Sequence, residues 1–172
     1  GFVGVDVFFV ISGFLITSIL YGECRQNDPS LARFYQRRVA RIFPAFTAVA
    51  LTTLAVAFFV YLPQDLASCG ANFSAAFLSA INIKLMFQGN YFVLSPDSQP
   101  FLHYWTLAVE EQFYMVFPLL LLALYRFARH ALVSLLLVVG IASFAWGWRW
   151  SDTHPTWAFY LLPTRGWELL AG

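Results

Sequence analysis

Four stretches of the chain are apolar over close to the 20 or so residues that a bilayer-spanning helix needs. Residues 5–21 are apolar except for Asp6, and residues 42–62 carry no charge. Residues 105–125 contain two adjacent glutamates, and residues 131–148 are uncharged. A fifth run, 157–170, is broken by Pro163, Arg165 and Glu168 and reads either as a further span or as a re-entrant segment. Residues 66–87 include Asn72, Asn82 and Lys84, too polar for a lipid-facing helix, and predict an interfacial or re-entrant helix. Residues 88–100, with Gly89, Pro96, Asp97, Ser98 and Pro100, predict an external loop. Pro44 falls near the start of its apolar run, where proline is tolerated. Pro118 lies inside its run and should kink the helix and free the carbonyl of Tyr114. The pattern predicts an all-α polytopic transmembrane helical bundle of four to five spans plus one re-entrant or interfacial helix.

Composition agrees with this. The 172 residues are 60% hydrophobic and 19% aromatic, and 11% are charged, against about 25% charged in soluble domains. The mean hydropathy is +0.67. The net charge of +1 says little, but its placement says more. Arg25, Arg33, Arg37, Arg38 and Arg41 fall in a connection read over 23–41, and Arg126 and Arg129 between the third and fourth apolar runs. The positive-inside rule puts both connections on the cytoplasmic side. The first span then runs inward, the others alternate, and Pro63 and His103 lie outside. The chain begins at Gly1 within an apolar run, with no Met and no signal peptide, and stops at Gly172 after another. The expectation is an internal piece of a longer protein, with at least one partner helix beyond each end. Cys24 and Cys69 are 45 residues apart without CxxC or matching His spacing, which argues against a metal site or a disulfide framework. No GxSxG, P-loop, HExxH or GxGxxG occurs, and nothing points to nucleic acid.

Candidate chemistry sits where charge enters the apolar runs. A carboxylate at membrane depth is costly and marks a functional site by default. His103 and Glu110 are seven residues apart, so on a helix they share a face about 10 Å apart along the axis. Glu111 points about 100° away, so the two glutamates cannot serve one atom. A His–carboxylate pair equips a site for general base catalysis; the alternative is that the carboxylates brace neighbouring segments. Asp6, near the outer end of its run, reads as a helix N-cap or as a site residue. Gly4 and Gly13 would allow close helix packing. Arg37, Arg38 and Arg41 fall on neighbouring helical positions. Guanidinium groups there suit a polyphosphate, or they simply meet anionic lipid head groups. Arg165 and Glu168, three apart, can pair with each other, bracing the core or offering Arg165 to a substrate.

Four segments resemble motifs of the membrane acyltransferase-3 family, in order along the chain. Gly4-Val-Asp-Val-Phe-Phe-Val-Ile-Ser-Gly13 looks like GVDLFFVLSG, and Arg38-Val-Ala-Arg-Ile-Phe-Pro44 looks like RxxRIxP. His103-Tyr-Trp-Thr-Leu-Ala-Val-Glu-Glu-Gln-Phe-Tyr114 looks like HTWSLSVEEQFY, with Thr106 in place of the serine. Pro163-Thr-Arg-Gly-Trp-Glu-Leu-Leu-Ala-Gly172 looks like PTRAWELLAG. The resemblance implies that residues 1–172 are part of an acyltransferase-3 transmembrane domain of about ten helices, lacking the first helix and the C-terminal ones. It implies a multi-pass enzyme of the bacterial inner membrane. Such an enzyme moves an acyl group, most often acetyl, from cytoplasmic acetyl-CoA to a hydroxyl of lipopolysaccharide, peptidoglycan or exported polysaccharide, without a metal. A C-terminal SGNH-type domain in the full-length protein is a further implication. The family's histidine thought to act in transfer would precede Gly1, so the segment alone should be inactive. The expected site is then Asp6, His103, Glu110 and Glu111 for catalysis, and Arg37, Arg38 and Arg41 for the donor's phosphates at the cytoplasmic mouth. Arg165 would serve as oxyanion cation or structural pair, oriented by Glu168. The acyl group would reach a cavity lined by Asp6, His103, Glu110 and Arg165. The competing class is a proton-coupled transporter or exporter, which also uses buried carboxylates and His but has no need of the arginines.

Overall fold

The structure, a computed structural model, describes residues 2–26, 28–88 and 100–172. Among these residues every regular element is a helix: α1 Phe2–Arg25, α2 Leu31–Val60, α3 Pro63–Phe77, α4 Ile81–Gln88, α5 Tyr104–Phe127, α6 Leu132–Thr153, α7 Pro155–Tyr160 and α8 Leu162–Ala171. Helices α1, α2, α5 and α6 are long and apolar enough to cross a membrane. The expected loop 88–100 lies outside the described residues apart from its two ends.

Three differences from the sequence reading have local causes. The arginine segment is not a loop but the first third of α2. Ser30 caps it, accepting from the Arg33 amide at 3.3 Å, and arginine, leucine and alanine are all good helix formers. Pro44 therefore sits deep inside α2 rather than near its start. The stretch 66–87 is two helices, not one. Ser79, with φ of 53°, turns the chain in the left-handed region, which costs a residue with a Cβ about 1 kcal/mol or more. The fifth run breaks at Leu161, and Pro163 opens α8 instead of interrupting it, since proline's fixed φ suits the first turn of a helix.

Ring contacts fix the directions. Phe9 meets Trp105 at 6.3 Å and Tyr21 meets Tyr125 at 5.9 Å, so α1 and α5 run the same way. Tyr35 reaches the middle of α5 while Phe46 meets Tyr104, so α2 runs against them. This alternation matches the one expected from the basic residues. The carbonyl of Tyr114, freed by Pro118, accepts from the Tyr35 hydroxyl at 3.3 Å, and that of Met115 accepts at 3.2 Å. The proline's missing donor is thus replaced from a neighbouring helix.

Small residues set the closest approaches, as in membrane interiors where packing rather than burial from water drives association. A Cβ on Gly13 would overlap the backbone carbonyl of Leu169 in α8, and one on Gly147 would lie 2.7 Å from that of Thr164. Gly4, by contrast, has nothing within 4 Å. The Ser143 hydroxyl of α6 donates to the Pro163 carbonyl at 2.7 Å and accepts from the Trp167 amide at 3.0 Å, threading α6 into the first turn of α8. Cys24 and Cys69 are both free and buried.

The α3–α4 pair is pinned by an amide network. Fully buried Asn82 donates to the Tyr160 carbonyl at 3.0 Å. Gln112 donates to the Asn82 side-chain oxygen at 2.9 Å and to the Ser79 carbonyl at 2.8 Å. The same residue that read as too polar for lipid is here satisfied on α5 and α7. Nearby Lys84 is half-buried, and burial holds its ammonium below the usual lysine range. Asn82→Leu should strand the Gln112 amide and lower stability by about 1–3 kcal/mol. Thermal unfolding of the purified protein in detergent checks this, and an unchanged midpoint would show the network to be dispensable.

Candidate active site

Charged side chains gather in two places. At the first, Arg38 projects from α2 toward α5. Its Nη2 lies 3.1 Å from Glu110 Oε1 and its Nε 3.4 Å from Glu111 Oε1. The two glutamates therefore serve different nitrogens of one guanidinium, which their 100° separation on the helix permits. The Tyr114 hydroxyl donates to Glu110, and the Arg38 guanidinium lies 3.5 Å from the centre of the Tyr114 ring, well within cation–π range. Glu110 is 4% exposed. One guanidinium against two carboxylates leaves an acceptor in excess, which is what a proton-abstracting site requires.

Arg38, Glu110 and Tyr114 of this cluster also line a cavity of about 450 Å³ between α1, α2 and α5. Helix α2 packs most closely on α3 and reaches α1 and α5 mainly through side chains, which leaves the space open. Arg37, Arg38, Arg41, Glu110, Tyr114 and Ser12 all line it. Arg37 is half exposed and paired at 2.5 Å with Glu23 in the last turns of α1. Arg41 is exposed and forms no ion pair among the described residues. Along α1 the lining runs from Ile19 to Phe8, about 16 Å of helix. The cavity thus brings two exposed arginines, Arg37 and Arg41, and the buried Arg38–Glu110 pair to one space. The sequence placed all three arginines at a cytoplasmic mouth; the helical course of 31–41 instead carries Arg38 inward, against the first half of α5.

The second cluster is at the start of α1, α5 and α8. Arg165 pairs with Asp6, and with Glu168 at 2.8 Å. The rings of Phe9, Trp105 and Phe159 surround it, with centres 5.5–5.6 Å away. Asp6 lies inside α1, which is already helical at Phe2, so it is not an N-cap. The i, i+3 pairing of Arg165 with Glu168 is as the sequence suggested, but Asp6 is its cross-helix partner. Neither Asp6, His103, Arg165 nor Glu168 lines the cavity that holds Glu110. His103 is exposed, at the N-cap of α5 rather than within it. The single cavity expected around Asp6, His103, Glu110 and Arg165 is therefore two separate arrangements, and the cation beside Glu110 is Arg38.

Ser12, Tyr35 and Tyr114 were not singled out as site residues from the sequence. Ser12 and Tyr114 are hydroxyls in apolar runs and Tyr35 lies in the arginine segment, and nothing but the i+4 spacing of Tyr114 from Glu110 hinted at a role.

Fold and cluster together define a multi-pass helical membrane protein in which a buried carboxylate and three arginines line one cavity. The chain belongs to the acyltransferase-3 family: the family's model, described as an acyltransferase domain, matches residues 1–172. The chain is 44% identical, over 78% of its length and 55% of the relative's, to an uncharacterized protein of Haemophilus influenzae. It is 32% identical to the peptidoglycan O-acetyltransferase OatA of Listeria monocytogenes, over 100% of this chain and 28% of that protein. It is 34% identical to the O-acetyltransferase OatA of Staphylococcus aureus, over 83% of this chain and 24% of that protein. The chain thus spans about half, or about a quarter, of the length of these curated relatives. No solved structure matches it.

Proposed function

We propose that the protein of which this chain is part is a membrane-bound O-acyltransferase. It takes an acyl group, acetyl in the simplest case, from acyl-CoA on the cytoplasmic side of a bacterial inner membrane. It delivers that group to a hydroxyl of an envelope glycan: peptidoglycan, lipopolysaccharide or exported polysaccharide. Family membership and the printed activities of the two OatA relatives support the reaction class, and the peptidoglycan activity of one favours that acceptor. The observation that carries the reading is that Arg37, Arg38 and Arg41 line one cavity with buried Glu110. Arg37 and Arg41, the exposed arginines of the cavity, would hold the donor's phosphates in bidentate forks. At depth, the acceptor hydroxyl oxygen attacks the thioester carbonyl carbon. A carbon–oxygen bond forms, the carbon–sulfur bond breaks, the hydroxyl proton passes to Glu110, and the thiolate leaves with CoA. Arg38, 3.1 Å from Glu110, would stabilise the negative charge that develops on the carbonyl oxygen, the largest electrostatic contribution in most acyl transfers.

Arg41 is the clean probe, because it makes no ion pair among the described residues whose loss would disturb the fold. With full-length protein in membranes, radiolabelled acetyl-CoA should deliver label to added envelope glycan. Arg41→Ala should raise KM for acetyl-CoA about tenfold, the worth of one lost charge-assisted hydrogen bond of roughly 1.5–3 kcal/mol, with kcat changed little. No label from any acyl-CoA in a well-expressed protein would sink the reading and favour transport.

A further inference from the structure

We propose that the acyl group occupies a second, smaller cavity on the far side of Arg38, and that Ala76 and Phe77 set the length of chain it accepts. The inference rests on the acyl-CoA reading. This cavity, of about 160 Å³, lies between α2, α3 and α5, and it shares Arg38, Ile42 and Leu107 with the larger one. Those three side chains form a partition between the two spaces. Among the described residues, the charged groups lining the small cavity are Arg38 and Glu111; the rest of its wall is mainly apolar, with Val39, Phe46, Ala76 and Phe77. The wall is braced across helices by aromatic contacts, Phe46 to Phe77 at 6.2 Å and Phe46 to Tyr104 at 5.4 Å.

Two features point to an acyl thioester. The large cavity holds all three arginines, the partition a single guanidinium, and the small cavity, apart from Glu111 and Ser79, apolar side chains. The donor has the same order: phosphates, thioester carbonyl, acyl tail. Second, Arg38 Nε is buried and, although ion-paired with Glu111 Oε1 at 3.4 Å, it makes no hydrogen bond, and neither does that oxygen. A buried N–H donor without a hydrogen bond is costly, and a thioester carbonyl oxygen supplies the one it lacks. Size then limits the chain. A cavity of about 150 Å³ lined by apolar side chains holds benzene, six carbon atoms, so this one takes an acyl group of about six non-hydrogen atoms and no more. Buried Ala76 leaves room that a larger side chain would fill, and the next residue of α3, half-exposed Phe77, bounds the same space with its ring.

The test is a chain-length profile: full-length protein in membranes, supplied with acetyl-, butyryl-, hexanoyl- and octanoyl-CoA and the glycan acceptor. Each rate is taken relative to the same variant's acetyl rate, so expression level cancels. Wild type should transfer acetyl and butyryl and fall at least tenfold by octanoyl. Phe77→Ala should raise the octanoyl-to-acetyl ratio at least tenfold, and Ala76→Leu should lower the butyryl-to-acetyl ratio by as much. Equal rates for acetyl and octanoyl in wild type, or ratios that neither variant moves, would overturn the chamber while leaving the acyltransferase reading intact. No transfer at any chain length would overturn both.

Discussion

Arg38→Ala is expected to abolish acyl transfer and to destabilise the fold, and the two effects can be separated. Removing the guanidinium leaves Glu110, with a side chain only 5% exposed, and Glu111, at 22%, without a counter-charge. Breaking one partner out of a buried ion pair typically costs about 3–5 kcal/mol, because the remaining charge is stranded. Replacing the whole set with neutral groups of similar shape is often neutral. The triple change Arg38→Met, Glu110→Gln and Glu111→Gln should therefore recover most of the thermal midpoint lost in Arg38→Ala, yet remain inactive. Glu110→Gln alone keeps the shape and an oxygen for the Tyr114 hydroxyl. It should cost little stability while lowering kcat by about 10²–10⁴, the usual worth of a general base. Thermal unfolding in detergent and glycan labelling are read on the same preparations. If the triple variant turned over like wild type, the cluster would be a brace between α2 and α5 and nothing more.

The sequence carries the frame of this molecule unevenly. The four long helices follow from apolar length alone, because a bilayer-scale run admits few alternatives to a helix. Local pairings were also legible: Arg165 and Glu168 are three apart, and helix geometry brings them together whatever surrounds them. Pairings across the chain were not. Arg38 meets Glu110 only because α2 begins at Leu31 and points Arg38 at α5, and the polarity of that segment had suggested a loop. Arginine's charge argues for exposure, but its long apolar stem and high helix propensity let it continue a span. The turn at Ser79 has no sequence signal, since serine is not a residue that favours positive φ. The cavity itself is a property of how far α2 stands from α1, and no single position encodes that distance.

Three glycines of α1 should respond to the same substitution in opposite ways. Gly→Ala in a helix gains about 1 kcal/mol of propensity where space allows. A Cβ at Gly4 or Gly22 meets nothing within 4 Å, so Gly4→Ala and Gly22→Ala should leave the thermal midpoint unchanged or slightly raised. At Gly13 the added carbon would overlap the Leu169 carbonyl, a backbone atom that cannot rotate away. Helix α8 must then move off α1, at a cost at or above the roughly 1–3 kcal/mol of ordinary core overpacking. The displacement also pulls on Arg165, four residues before Leu169, and so on its pairs with Asp6 and buried Glu168. This makes the two sites energetically dependent. In a double-mutant cycle, Arg165→Met should cost markedly less in the Gly13→Ala background than in wild type, with a coupling of about 1 kcal/mol or more, since contacting sites couple by 0.5–3 kcal/mol. Additive losses would mean that α8 accommodates the methyl locally, and that the Arg165 ion-pair cluster holds its geometry without the close approach at Gly13.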